Sequence, residues 1–118
     1  MTRINAGIPV KWLSDKHLIA EHREIKRIPN AVKNRKVNWD IPIPEKFTLG
    51  KGHVRFFYNK IKYLERRYKM LYQECIKRGF KVQDYSDAFK LYQPDSFFDE
   101  LNKYRHDYNQ LVNNSYSL

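Results

Sequence analysis

A chain of 118 residues, 42% apolar and 15% aromatic with only nine Gly and Pro, can bury one hydrophobic core; that excludes both a disordered chain and a second independent domain, so one domain over 1–118 is expected. The net charge of +10 is unevenly placed, since residues 1–81 hold 20 Lys and Arg against 7 Asp and Glu, whereas 82–118 hold 3 against 6. A cationic surplus confined to one part of a small domain suits a phosphate-binding face, where each neutralised phosphate releases counterions, and it ranks nucleic acid above an acidic protein surface or mere solubility.

Met1 to Trp12 show neither helical nor strand periodicity and carry Gly7 and Pro9, so they read as an extended arm that needs a surface to pack on. Ser14 is suited to cap a helix from about 14 to 37, on which Leu18, Ile25, Ile28 and Val32 form one apolar stripe. Pro29 lies inside that span and predicts a kink or break near Arg27. Residues 38–52 combine Pro42, Pro44, Gly50 and Gly52 with Trp39, Ile41, Ile43 and Phe47, a packed loop whose aromatics are expected to cap the core.

From His53 to Arg78, Phe57, Ile61, Leu64, Tyr68, Leu71 and Cys75 recur at spacings of four and three. This predicts one long amphipathic helix with Lys60, Lys62, Arg66, Arg67 and Lys69 outside and Gly79 as a left-handed C-cap. A single turn is expected between Asp84 and Tyr92. A further helix is expected to open with a Ser96–Asp99 capping box and to bury Phe97, Leu101, Tyr104, Tyr108 and Leu111. Three main helices without alternating strand patterns predict a compact all-α domain with the arm packed between them.

The single cysteine, Cys75, excludes an internal disulfide, and no apolar run reaches the length of a signal-peptide core or a membrane span. A cytoplasmic setting is expected, that of the host cell if the chain is virus-encoded. Four scattered histidines and one cysteine make no zinc set, and no glycine-rich phosphate loop is present, so neither metal nor cofactor is expected.

Met1-Thr2-Arg3-Ile4-Asn5, His17-Leu18-Ile19-Ala20-Glu21-His22-Arg23-Glu24 with Arg27, Gly50-Lys51-Gly52-His53-Val54-Arg55-Phe56-Phe57-Tyr58, and Glu74-Cys75-Ile76-Lys77-Arg78-Gly79-Phe80 occur in this order. Together these blocks resemble the phage pyrimidine-dimer DNA glycosylases of the endonuclease V type over about two thirds of the chain. The resemblance implies a three-helix all-α fold with the arm threaded between the first two helices. It also implies a monomer that acts on damaged double-stranded DNA without a cofactor.

The activity it implies is excision of a base at a cyclobutane pyrimidine dimer by the α-amine of Thr2, freed by loss of Met1. Strand cleavage at the abasic sugar would follow, with Glu24 as the assisting carboxylate. Such an amine has a reference pKa of about 7.7–8.0, against about 10.4 for lysine, so part of it is a free nucleophile near neutrality. Arg3, Lys16, His17, Arg23, Arg27, Lys33 and His53 would contact DNA, with Arg23 and Arg27 one turn apart on one helix face.

Each of these residues also has a plainer reading. A threonine after the first methionine is common, a helical glutamate such as Glu24 or Glu21 is usually solvated, and the arginines pair readily with both. His17 and His53 are equally read as hydrogen-bonded structural histidines, and Phe56-Phe57-Tyr58 suits core packing better than base stacking. Residues 114–118 lack the closely spaced aromatic tract of the family's C-terminus, and Lys16 stands where its best-known members carry a neutral amide. A different modified base, a DNA-binding module without catalysis, and a partner-binding protein therefore stay open.

Overall fold

The arm does find a surface to pack on. In this computed structural model, which describes residues 2–90, 103–109 and 111, Ile4 is fully buried and Ala6 and Val10 nearly so. The chain reverses between Asn5 and Ile8, with Ile8 N–H donating to Asn5 O at 3.1 Å. Gly7 occupies the third position of that turn at φ 85°, where a side chain would be strained. A short 3-10 turn, Val10–Trp12, then leads into Ser14, whose hydroxyl accepts from His17 N–H and caps α1, Asp15–Glu24.

The predicted break falls where the proline requires it. α1 stops at Glu24 and α2 runs Arg27–Lys33, so Pro29 stands in a first turn, where its missing N–H costs little. Had the helix run on, the Pro29 ring would have met the carbonyl of Ile25, four residues back. α2 ends earlier than expected, at Lys33 rather than near 37. Lys36 N–H donates to Ala31 O at 2.9 Å and Arg35 N–H to Val32 O at 3.2 Å, a Schellman closure with Arg35 at φ 57°.

The expected single helix from His53 is two helices. α3 spans only His53–Phe56, and α4 spans Ile61–Lys77. Between them Phe57, Tyr58 and Lys60 make tighter bonds, each N–H donating to the carbonyl three residues back. At the break Phe56 O, which a continuous helix would bond to Lys60 N–H, accepts instead from the buried Lys60 Nζ at 2.9 Å. Phe56 and Phe57, both fully buried, join one cluster around Phe47, which meets each edge-on at 5.9 Å. α4 closes as predicted: Phe80 N–H reaches Cys75 O and Gly79 N–H reaches Ile76 O, with Gly79 at φ 83°.

α4 packs on α1, with Leu18 and Ile25 facing Leu64, Tyr68, Leu71 and Cys75 in one core. Its predicted outer face is only partly outside. Lys60, Lys62 and Arg67 are buried, contrary to the periodicity, because each has a local partner: Phe56 O and Asn59 Oδ1 for Lys60, Glu65 for Lys62, and Glu21 for Arg67. The loop aromatics also divide, since Phe47 caps the core whereas Trp39 and Ile41 face solvent.

A 3-10 turn at Ser86–Phe89 supplies the expected single turn, and residues 103–109 are helical. There the buried Asp107 accepts from Tyr63 N–H at 3.2 Å and caps the third position of α4 from a distance of 44 residues. Leu111 is buried as predicted, but Tyr108 is exposed; the Ser96–Asp99 box, Phe97 and Leu101 lie outside the described residues. The architecture is all-α, made of α1 to α4 and the helical residues 103–109, with no β-strand among the described residues. No helix among them is long and apolar enough to cross a membrane.

Candidate active site

Three elements converge on the arm. Ile4 N–H donates to Nε2 of His53, at the start of α3, at 2.8 Å, so that nitrogen carries no proton. Nδ1 of the same ring must then be the protonated one, and it donates to Thr48 O at 2.7 Å. From α1, Glu21 Oε1 accepts from Asn5 N–H at 3.2 Å and from Asn5 Nδ2 at 2.8 Å. From α4, Arg67 donates through Nε and NH2 to Glu21 and through NH1 to Ile8 O at 3.1 Å.

Glu21 and Arg67 are buried together. Burial alone would lower the Arg67 pKa, but the hydrogen bond and charge of Glu21 outweigh it and hold it above its usual value. The Glu21 carboxylate and the Arg67 guanidinium are thus bonded both to each other and to the arm. The resemblance points to Glu24 and not to Glu21 one turn earlier, and the two carboxylates have different surroundings. The available signal was the register of Glu21, three residues after Leu18 and four before Ile25, which places a carboxylate beside the apolar stripe.

Glu24 ends α1, half a turn before the break, with its side chain mostly covered. Arg27 NH1 lies 2.7 Å from its Oε2 and Arg23 NH2 lies 3.6 Å from its Oε1. The Arg27 contact is an ion pair that lacks hydrogen-bond alignment, so the buried Oε2 has no directed donor. A buried carboxylate oxygen in that condition is able to accept a further proton donor. Glu24 and Arg27 are three residues apart and meet across the junction of α1 and α2.

Arg23 and Arg27 keep more than half of their side-chain surface in solvent despite these contacts. Arg3, Lys16, His17 and Lys33 are also exposed, and His17 Nδ1 lies 2.8 Å from Ser14 Oγ within the α1 cap. His53 differs from all of these, being buried with both ring nitrogens engaged. Thr2 is half-buried, three residues before the anchored Asn5.

A small all-helical domain with a clamped arm, a buried carboxylate and a cationic exterior is the class these observations define. Residues 1–87 match the sequence model of the pyrimidine dimer DNA glycosylase family, and the chain belongs to that family. It is accordingly a DNA-repair glycosylase that binds DNA.

The two buried histidines make stability depend on pH. His22 stacks on Tyr68 at 5.4 Å, and burial first, then the charge of Lys26, hold its pKa below the usual value against an opposing pull from Asp84. His53 is also held low, first by burial and then by Arg3, against the Thr48 hydrogen bond and Glu21. The folded state therefore favours both neutral rings, while the unfolded chain takes up protons near pH 6.5. Stability should be complete above about pH 6.5 and fall below it, by up to about 1.4 kcal/mol per pH unit for each ring. Urea unfolding between pH 7.5 and 5 measures this, and His22→Phe should remove its share of the slope.

Proposed function

We propose that the protein, acting as a monomer on damaged double-stranded DNA, excises a base through the α-amine of Thr2 and then cleaves the strand; a cyclobutane pyrimidine dimer is the leading substrate. The observation that carries this reading is the clamped arm. At most about 11 Å of extended chain separates Thr2 from Asn5. Glu24 lies one helical turn, about 4.5 Å of rise, from the Glu21 that grips Asn5. These spans allow the amine to come to the carboxylate, and Arg3, Arg23 and Arg27 are exposed to take the phosphates around them.

In the first step the lone pair of the Thr2 amine, exposed by removal of Met1, attacks the sugar C1′. The C1′–N bond breaks and its electrons leave with the base, which gains a proton. The nitrogen on C1′ then loses a proton, and its lone pair forms the C=N bond as the C1′–O4′ bond breaks and O4′ takes up a proton, which leaves a protonated imine. In the second step that imine acidifies the C2′ proton; its removal expels the 3′ phosphate by β-elimination. Glu24 stabilises the cationic sugar and relays protons through its undirected Oε2.

Arg3, Lys16, His17, Arg23, Arg27 and Lys33 are assigned to the DNA backbone around the lesion. His53, with no ring nitrogen free, is assigned to positioning the arm instead of touching DNA.

Borohydride reduction tests the chemistry, because it converts the imine to a stable protein–DNA bond. Protein whose N-terminus is Thr2 should give an adduct at Thr2 on duplexes with a pyrimidine dimer or an abasic site, and N-acetylated protein should give none. Absence of an adduct with processed protein would eliminate the imine route and leave a DNA-binding module or a different catalytic group.

A further inference from the structure

We infer that Trp39 is a nucleobase-stacking residue, presented by a rigid turn to a base that has left the helical stack; the inference rests on the proposed binding of duplex DNA. Trp39 sits at the second position of the turn 38–41, closed by Ile41 N–H donating to Asn38 O at 3.3 Å. Asp40 N–H donates to Asn38 Oδ1 at 3.0 Å and stiffens it from inside. Arg55 of α3 then holds both ends, with NH1 donating to Asn38 O at 3.0 Å and to Ile41 O at 3.4 Å.

The same guanidinium lies 5.3 Å over the Tyr58 ring, and Tyr58 meets the Trp39 indole edge-on at 6.3 Å. One edge of the indole is thus supported while 56% of the residue stays in solvent, near Ile41 at 47%. A tethered turn that holds a large aromatic surface in water presents that surface in one orientation, ready to stack on a flat partner.

Charge selects the partner. Residues 26–55 hold eight Lys and Arg against two Asp and Glu, and the exposed Lys33, Arg35 and Lys36 immediately precede the turn, with Asp40 its only acidic residue. A cationic track beside an open aromatic face is the arrangement that binds a phosphate backbone and stacks its bases, since every base offers a π-face. A glycosylase must unstack a nucleotide to reach C1′, and a stacking surface offsets that cost.

The chain has two tryptophans, so Trp12→Phe leaves Trp39 as its sole indole. Adding a duplex with an abasic site or a mismatch should quench Trp39 emission and shield it from acrylamide, with binding followed separately by the anisotropy of labelled DNA. Trp39→Ala should weaken binding about 5- to 100-fold with an unchanged salt slope, and Trp39→Phe should retain most of the affinity. Arg35→Gln, by contrast, should lower the salt slope by about one.

Full duplex binding with Trp39 emission and accessibility unchanged overturns the inference, and so does unchanged affinity in Trp39→Ala. Shielding that rises with protein concentration without DNA overturns it in favour of self-association, and failure to bind any duplex overturns it together with the proposed function. Strand cleavage with an unshielded Trp39 sinks this inference alone. Shielding without cleavage sinks only the Thr2 chemistry.

Discussion

Replacing Glu24 by glutamine is expected to slow strand cleavage by about 10²- to 10⁴-fold while leaving duplex affinity equal or higher. The amide keeps the volume of the carboxylate, so the end of α1 stays packed, but it neither relays a proton nor balances a positive sugar. Arg23 and Arg27 lose an ionic partner. Both are more than half exposed, so the fold loses little. With one negative charge removed from the cationic surface, binding to phosphates has no reason to weaken. Single-turnover cleavage measured beside anisotropy decides the matter: a cleavage rate within tenfold of the parent would mean that another group performs the proton transfer.

Truncating Glu21 to alanine is expected to cost about 3–5 kcal/mol of unfolding free energy, a large share of the stability of a domain this size. Arg67 would remain buried with its charge uncompensated, and Asn5 would lose the acceptor of both its N–H and its side-chain amide. Arg67→Met should cost a similar amount, since it strands Glu21 in the same way. The double replacement Glu21→Met with Arg67→Met should be far less damaging than the sum, because no lone charge is left. Urea unfolding of the three variants measures this coupling. If the double variant folds yet cleaves poorly, the clamp on the arm is what positions the amine; if it cleaves normally, the arm needs no such grip.

The histidines show why a residue's type and register stop short of its role. His17 and His53 are indistinguishable as candidates in the sequence, each one polar residue in a matched block. The fold leaves one exposed at a helix cap and encloses the other between Ile4 and Thr48. The basic residues of α4 carry the same lesson. Period-3.6 reasoning set Lys60, Lys62 and Arg67 outside, which is sound for side chains without partners, yet all three are inside because carboxylate or carbonyl acceptors meet them there.

By itself the sequence determined the features that act through the adjacent backbone. Ser14 caps α1, Pro29 forces the chain to restart as α2, Gly79 closes α4, and the cationic surplus lies within residues 1–81. Their physics is complete within a few residues, so no distant contact was needed to read them. Only the tertiary structure decided that Glu21 is tied to Arg67 while Glu24 keeps an undirected oxygen, that His53 holds the arm, and that Asp107 caps α4. Most of these roles depend on a partner 44 to 49 residues away, and burial makes each contact either strongly favourable or costly according to whether that partner arrives.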